Sequence, residues 1–193
     1  MKRISFKDSG GLNLTQAVLS GSKTMTRREV PIQVYADAIE YARYESDSIR
    51  AKFEYILKHS PYKVGDVVAI QQAYKDVCAE LFGETITQNM SKRTASRTNW
   101  ENKMLVSASL MPHHIRITDV RVERLQDISD EDCLREGILP ITDMHDITNY
   151  YFGESDEYYT PRKAFATLID KVSGRGTWDS NPLVWCYSFE LVD

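Results

Sequence analysis

The chain has 193 residues, of which 42% are hydrophobic and 27% are charged, and its formal net charge is −4. These proportions are typical of a globular protein and exclude a disordered chain, which is poorer in apolar residues and further from neutrality. No run approaches the roughly 18 consecutive apolar residues of a membrane-spanning helix, and residues 1–11 lack the apolar stretch of a signal peptide. We therefore expect a cytoplasmic protein with no membrane partner.

The first part of the sequence predicts helices and one short strand. Residues 13–20 have the spacing of a helix that ends at Gly21, a residue that tolerates the left-handed conformation found there. Residues 24–30 are rich in Thr and Val and predict a strand. Residues 33–59 form the longest helical pattern, which the polar stretch 44–48 divides into two helices.

The middle of the chain predicts two strands separated by a long polar segment. A strand follows the turn at residues 61–66, and residues 76–103 hold few apolar residues, which predicts an unusually long loop. Residues 113–125 alternate between apolar and polar types, but the phase changes at Thr118–Asp119. One extra residue reverses the facing of a strand, so this change indicates a β-bulge or sharp bend.

The last part predicts two helices and a buried strand. Ser129 is a good N-cap for an acid-rich helix that ends at Gly137, and Thr160-Pro161 begins a helix that ends at Gly174. Residues 183–192 are apolar on both faces of the predicted strand, which favours a strand with little solvent contact.

These elements predict an α+β fold in a single domain of residues 1–193. The strands are short and do not alternate regularly with helices, and no GxGxxG or GxxxxGK motif is present, so an α/β nucleotide-binding fold loses support. A small mixed or antiparallel β-barrel with peripheral helices fits better, since bulges of the predicted kind bend strands in small barrels.

Charge is distributed unevenly along the chain. Residues 1–30 carry six basic and two acidic groups, whereas residues 141–193 carry four basic and nine acidic groups. The overall acidity argues against a protein that coats nucleic acid, because such binding comes from phosphate neutralisation. A local basic site in the N-terminal segment stays open, beside the alternative that these charges are solvated surface groups.

The densest polar cluster spans residues 21–28. Facing alternates along a strand, so Lys23 and Thr26 can meet only if Lys23 lies in the turn before the strand, which Gly21 permits. The strand would then present Thr24, Thr26 and Arg28 on one face and Met25 and Arg27 on the other.

A lysine beside a threonine hydroxyl offers a base and a nucleophile. The free pKa of lysine is about 10.4, and burial or a nearby cation such as Arg27 or Arg28 would lower it. A carboxylate would also be needed to pass a proton to a leaving group. An exposed strand edge is the alternative interpretation of this run.

Two tryptophans are candidate stacking platforms for a base. Trp100 follows the basic run SKRTASR, so it could stack on a base whose phosphate contacts that run, or it could belong to a surface loop. Trp178 could serve as a platform or as a hydrophobic plug.

No metal site or disulfide is predicted. Cys78, Cys133 and Cys186 are odd in number and widely spaced, which favours ordinary buried thiols. His113 and His114 are adjacent on a predicted strand and would face opposite ways. We expect no cofactor.

Four segments, taken together, resemble one known family. The run LSGSKTMTRR resembles the opening motif of ASCH domains, Gly-x-Lys-x-x-Thr-x-Arg, and YKVGDVVAIQQ is similar to the turn and strand that follow it in the family. ITDVRVERLQDISDEDCLREGI resembles the family's strand and acid-rich helix, and GTWDSNPLVWCYSFELV resembles the end of the larger ASCH-type proteins of phages and prophages. The four segments occur in the expected order and cover about half of the chain.

The resemblance implies a PUA-like β-barrel with a cleft for RNA or a nucleobase. Some small members remove the acyl group from N4-acetylcytidine with a Lys, a Thr three residues later and a Glu. By motif these correspond to Lys23, Thr26 and Glu136, with Glu131 as the alternative carboxylate, and Arg28 would hold a phosphate or a carbonyl. Against the small members, this chain has a helical insertion at about residues 32–60 and a polar loop insertion at about residues 76–103.

The leading hypothesis is therefore binding of RNA or a modified nucleobase. The binding residues would be Lys23, Arg27, Arg28, Trp100 and Trp178. The alternative is an amidohydrolase acting on an N4-acylated cytidine-like nucleoside, with Lys23, Thr26 and Glu136 as base, nucleophile and proton donor. A third hypothesis is a protein-interaction module that uses the inserted helical segment.

Overall fold

A five-stranded sheet and a two-stranded hairpin form the β structure of the protein. The computed structural model describes residues 1–85, 87–88, 100–154 and 157–192. The strands are β1 (Lys2–Ile4), β2 (Met25–Glu29), β3 (Val67–Ile70), β4 (His114–Arg124), β5 (Leu139–Thr142), β6 (Thr148–Tyr151) and β7 (Leu183–Leu191).

Helices surround the sheet and lie mostly between successive strands. They are α1 (Leu14–Leu19), α2 (Ile32–Ala42), α3 (Ser48–Lys58), α4 (Tyr74–Phe82), α5 (Asp130–Arg135), α6 (Pro161–Ser173) and α7 (Thr177–Ser180). Single 3₁₀ turns occur at Lys103–Leu105, Ala108–Leu110 and Leu125–Asp127. The predicted α+β class is confirmed.

The sheet has an open side. Its strand order is β1-β3-β4-β7-β2, with β1 and β3 parallel and the other neighbours antiparallel. The edge strands β1 and β2 do not pair with each other in the described part of the chain.

The predicted bulge in β4 is confirmed. Ile117 pairs with Phe189 and Asp119 with Ser188, so Thr118 is one residue more than the partner strand supplies. The extra residue keeps Val120 on the same face as Ile117.

The core lies against the central strand β7, whose residues 183–189 are all buried. This burial on both faces confirms the prediction from the apolar ending of the sequence. One face packs against α6, through Ala164, Phe165 and Leu168, among other residues of one large apolar cluster.

Side-chain caps explain where several helices begin. The carboxylate of Asp47 accepts a hydrogen bond from the amide of Arg50 at 3.0 Å, which starts α3 after the predicted break. The hydroxyl of Ser129 accepts from the amide of Asp132 at 3.1 Å, which starts α5.

The prediction of an unbroken loop over residues 76–103 is wrong for its first part. Helix α4 occupies Tyr74–Phe82, and Val77 and the partly buried Tyr74 anchor it. Val77 is buried in a small second cluster with Ala69, Val106 and Met111. Residue 86 and residues 89–99 lie outside the described residues, and the whole basic run SKRTASR before Trp100 is among them.

Strand β1 and the β5–β6 hairpin were not predicted. Strand β1 has three residues, too few to show a period, and it is stabilised by parallel pairing with the distant β3. The hairpin turn is closed by Asp143, whose carboxylate accepts hydrogen bonds from the amides of His145 and Ile147 at 2.8 and 3.0 Å.

Candidate functional site

Lys23 lies in the turn between α1 and β2, as the alternation argument required. Gly21 has a φ of +76°, which lets the chain reverse after α1. The amide of Lys23 donates to the carbonyl of Ala17 at 2.9 Å, and the amide of Thr24 donates to the carbonyl of Arg135 at 2.9 Å. The turn is therefore joined directly to the end of α5.

Glu136 is the C-cap of α5, and Gly137 follows it with a φ of +98°. The side chain of Lys23 packs against Gly137, where an added Cβ would lie 3.5 Å from the Cβ of Lys23. The positive φ favours glycine at position 137, whereas a Cβ at 3.5 Å would make only an ordinary van der Waals contact.

The side chains of Lys23 and Glu136 form a buried pair. Nζ of Lys23 lies 2.6 Å from Oε2 of Glu136 and donates a second hydrogen bond to its main-chain carbonyl at 2.7 Å. The two side chains are only 3% and 5% exposed. Glu131, the alternative carboxylate, is exposed on the surface of α5.

Burial lowers the pKa of Lys23 below its ordinary value of 10.5. The charge of Glu136 and its hydrogen bond act in the opposite direction, while the charges of Arg28 and Arg27 lower the pKa further. The buried amine consequently gives up its proton more readily than a free lysine.

Arg27 lies beneath this pair, in a network of carboxylates. Its Nη1 donates to Oε1 of Glu136 at 3.1 Å, and its Nη2 donates to Asp132 at 2.8 Å. Nε and Nη2 both donate to Oε1 of Glu123, at 3.0 and 2.7 Å. The Arg27 side chain has no exposed surface. Burial by itself would lower the pKa of Arg27, but nearby negative groups, Glu136 foremost, more than offset this and raise the pKa above its ordinary value.

These contacts correct the expected role of Arg27. The sequence placed its side chain among the groups that would contact a ligand, but every nitrogen of the guanidinium is occupied by protein groups. The residue supports Glu136 from below.

A cleft of about 810 Å³ opens above the Lys23–Glu136 pair. Lys23, Thr26, Arg28 and Glu136 all line it. Helix α6 supplies an apolar wall formed by Phe165, Leu168, Ile169 and Val172. Residues 101–104 and the segment after β1 supply a more polar wall.

Thr26 also borders this cleft. The residue is 5% exposed, and its hydroxyl makes no hydrogen bond within the described parts of the chain. The hydroxyl oxygen is not fully buried, so a ligand in the cleft can reach it.

The cleft follows the open edge of β2. The amide of Phe189 donates to the carbonyl of Thr24, and that of Val30 donates to Leu183, so residues with even numbers in this segment pair with β7. In an antiparallel ladder the alternate residues, Arg27 among them, turn their main-chain N–H and C=O groups away from the partner strand. Arg27 thus reaches the cleft through its main chain although its side chain is buried.

Arg28 bridges the open side of the sheet. Its guanidinium donates to the carbonyl of Ser5, just after β1, and lies 5.9 Å from the ring centre of Phe6. No carboxylate of the described residues lies within 4.0 Å of it. Burial lowers the pKa of Arg28, although Tyr62, Glu136 and Tyr187 act against the shift.

Neither tryptophan lines the cleft, which corrects two predicted stacking platforms. Trp100 is buried, with 8% of its surface exposed. Trp178 packs edge-on against Phe165 at 6.1 Å and lies 5.2 Å from the guanidinium of Arg162. The plug interpretation of Trp178 fits these contacts.

The sequence analysis missed two acidic residues of the network, Asp132 and Glu123. A signal for Asp132 was present, because it lies four residues before Glu136 in SDEDCLREG and residues at this spacing share a helix face. Glu123 carries no comparable signal, because its approach to Arg27 depends on the pairing of β4 and β2 with β7.

A second groove, of about 450 Å³, lies between α2 and α3 and is bordered by the exposed Ile39 and Ile49. It belongs to the segment that the interaction-module hypothesis invoked, and that hypothesis stays a prediction.

Within the described ranges no group of three or more His, Cys, Asp or Glu side chains is arranged to hold a metal ion. No helix there is both long enough and apolar enough to cross a membrane.

Comparison with known proteins identifies no family for this chain. No family model matches it, and no curated protein sequence matches it. It aligns with the crystal structure of protein EF3133 from Enterococcus faecalis V583, of family DUF984, at 15% identity and a TM-score of 0.39, over 98% of this chain and 76% of that chain. A likeness at this level indicates neither family nor function, so function is argued from this chain's own residues.

Proposed function

We propose that the cleft binds the base of a modified pyrimidine nucleoside. The observation that carries the proposal is the buried Lys23–Glu136 pair, 2.6 Å apart, on the floor of a cleft that also receives the unpaired hydroxyl of Thr26. A base edge needs both donors and acceptors, and this floor offers an amine, a carboxylate and a hydroxyl together. The resemblance to ASCH domains implies the same ligand class.

The charge of the cleft favours a nucleoside over a long RNA. Apart from Arg27, whose side chain is buried, five basic and five acidic residues line it in the described part of the chain, so the charges nearly cancel. A polynucleotide groove depends on an excess of positive charge along the backbone path. Arg28, which pairs with no carboxylate of the described ranges, offers one cation for a carbonyl or a single phosphate.

The PUA-like barrel is part of this proposal. Strand β2 and the segment that follows β1 border one cleft, and Arg28 of β2 donates to Ser5 of that segment. The bulge in β4 supports a curved sheet that would bring these edges towards one another.

Calorimetric titration of the protein with cytidine and with N4-acetylcytidine tests the proposal. We expect wild type to bind at least one of the two, and Lys23→Met to bind it at least about tenfold more weakly. The exposed Arg50, which pairs with Glu54 on α3, supplies the control Arg50→Met, whose affinity should match wild type. Absence of binding by wild type, or equal affinity in Lys23→Met, would refute the proposal.

A second candidate function is hydrolysis of an acyl amide on the bound base. It is supported by the placement of Lys23 and Thr26 on the same cleft, together with the burial that lowers the pKa of Lys23. The Thr26 oxygen would attack the acyl carbonyl as its proton passes to Nζ of Lys23. The proton would then reach the leaving amine through Glu136 as the C–N bond breaks, and water would cleave the acyl-threonine ester.

Chromatography of N4-acetylcytidine incubated with the protein tests this second candidate. We expect cytidine and acetate to form with wild type and not with Thr26→Val, a substitution close in shape that removes the hydroxyl. Equal turnover in both would exclude Thr26 as the nucleophile.

A further inference from the structure

We propose that Arg27 is the positioning residue of this site. Its side chain holds Glu136 so that Nζ of Lys23 keeps one hydrogen-bonding position open towards the cleft. This inference depends on the proposed function in one respect only, namely that a ligand bonds to the open position.

Arg27 and Lys23 divide the carboxylate of Glu136 between them. Oε1 accepts from Nη1 of Arg27 at 3.1 Å, and Oε2 accepts from Nζ of Lys23 at 2.6 Å. Because each oxygen has its own cation, the carboxylate cannot rotate to give both oxygens to Lys23 without losing a charge-assisted hydrogen bond to Arg27.

Arg27 is itself fixed by two further carboxylates. Glu123 accepts from its Nε and Nη2, and Asp132 accepts from its Nη2. The planar guanidinium has its donors in fixed directions, so these contacts determine its orientation. Lysine at this position could keep the charge but could not reach the same set of oxygens.

The network is formally neutral when Lys23 is counted with it. Asp132 also accepts from Nη2 of Arg121 at 2.8 Å and lies 3.4 Å from Nη1 of Arg135, and Nε of Arg121 lies 3.5 Å from Asp119. Three guanidiniums and the amine of Lys23 therefore face four carboxylates, which belong to Asp119, Glu123, Asp132 and Glu136. Arg27 offsets part of the negative charge of Glu136, so Glu136 holds a proton on Lys23 less strongly than it would without Arg27.

The amine of Lys23 has one position that no protein group fills. Two positions are taken by the carbonyl and by Oε2 of Glu136, and no other hydrogen bond reaches Nζ within the described residues. Since Lys23 lines the cleft, the third position is available to a ligand, as a lone pair when the amine is neutral and as a donor when it is protonated. The other charged groups acting on Nζ are Arg27 and Arg28.

The two thiols close to the network stay neutral at physiological pH. Burial raises the pKa of Cys133 to about 12 and raises the pKa of Cys186 as well. Neither thiol therefore supplies a negative charge that could compete with Glu136 for the cations.

An NMR titration of the Lys23 side chain, assigned by the loss of its signal in Lys23→Met, tests the inference without any ligand. We expect Arg27→Met to raise the pKa of Lys23, because Glu136 would then act on Lys23 alone. The neutral fraction of the amine at a fixed mildly alkaline pH should fall about tenfold. Arg27→Lys should restore only part of that fraction, because the charge returns but a lysine cannot reach the same set of oxygens.

Asp132→Asn should move the same titration the other way. Removing one negative charge leaves Arg27 more fully available to Glu136, so the pKa of Lys23 should fall. This variant keeps the inference testable if Arg27→Met does not fold. Arg50→Met serves as the control, and its Lys23 titration should match wild type.

The outcomes separate this inference from the proposed function. If Lys23 titrates in Arg27→Met or in Asp132→Asn as it does in wild type, Arg27 has only a structural role and the inference is overturned. If the titration shifts as expected while wild type binds neither cytidine nor N4-acetylcytidine, the proposed function is wrong and the positioning role of Arg27 stands.

Discussion

Lys23 is held twice by Glu136, through a carboxylate oxygen at 2.6 Å and through the main-chain carbonyl at 2.7 Å. The desolvation of such a buried pair offsets much of its attraction, so a pair of apolar residues would stabilise the fold as well or better. Its position on the floor of a cleft is therefore better explained by binding or chemistry than by stability.

Glu136→Gln should lower the free energy of unfolding by about 3 kcal/mol, because it leaves the amine of Lys23 buried without its carboxylate. Urea denaturation at neutral pH measures the change. Glu131→Gln is the matched control on the same helix, and its exposed position predicts a change within about 0.5 kcal/mol. Equal stability of the two variants would contradict the assignment of Glu136 as the buried partner.

The stability of the protein should depend on the protonation of Lys23. Burial holds the pKa of Lys23 in the folded chain below the value of 10.5 expected when unfolded. Below the folded pKa both states carry the proton and the cost of burying the charge is fully present. Between the two values only the unfolded chain keeps the proton, so the free energy of unfolding rises with pH in that window.

Denaturation of wild type and Lys23→Met at matched pH values isolates this contribution, since the other titrating groups largely cancel in the difference. The stability of wild type relative to Lys23→Met should increase as the pH rises from neutral towards the pKa of free lysine. A difference that stays flat or decreases over this range would mean that the pKa of Lys23 is not lowered.

Asp132 should contribute stability that acid removes. Burial opposes ionisation of Asp132, but hydrogen bonds from Arg27 and Arg121 prevail and lower its pKa below 3.8. The contribution is fully present above that value and is lost as the pH falls through the lowered pKa. Wild type should therefore exceed Asp132→Asn in stability at neutral pH, and the two should converge in strong acid. A constant gap between their acid-unfolding curves would rule out this ionised role.

Nucleoside binding should depend only weakly on salt. The charges lining the cleft nearly cancel, so few counterions are released when a small ligand enters. Calorimetry from low to high salt should give affinities within about threefold of one another for a neutral nucleoside. A steep loss of affinity for single-stranded RNA under the same conditions would instead favour a polynucleotide partner.

Trp100→Phe and Trp178→Phe should leave nucleoside affinity within about twofold of wild type, because neither ring borders the cleft. Both should instead lower the free energy of unfolding, by about 1 to 3 kcal/mol, since the ring of Trp100 is buried and the partly buried ring of Trp178 packs against the core. Thermal melts and calorimetry separate the two effects. Loss of affinity in a stably folded Trp178→Phe would show that Trp178 contacts the ligand.

Local sequence signals predicted the turn that carries Lys23 and the ends of most helices. Gly21 permitted a turn before β2, and Ser129 placed the start of α5. The resemblance to ASCH domains directed attention to Glu136, whose contact with Lys23 spans 113 positions of the chain. The position of Lys23 in the turn followed from alternation along one strand alone.

The network around Arg27 could not be predicted, because it depends on strands that are distant in sequence. Arg27 and Arg121 both pair with Cys186, from opposite sides of β7. This arrangement places them on one face of the sheet, beneath α5. Trp100 was misjudged for a related reason: its polar neighbours in sequence suggested exposure, whereas its ring is buried.

The single extra residue in β4, Thr118, determines which side chains of β4 lie below Glu136. Without it, Arg121 and Glu123 would turn to the opposite face, and Val120 and Val122 would take their places below Glu136. Deleting Thr118 would thus place apolar side chains instead of charged ones below Glu136, although every charged residue would remain in the chain. A change in chain length at this point would alter the site as deeply as replacing its lysine.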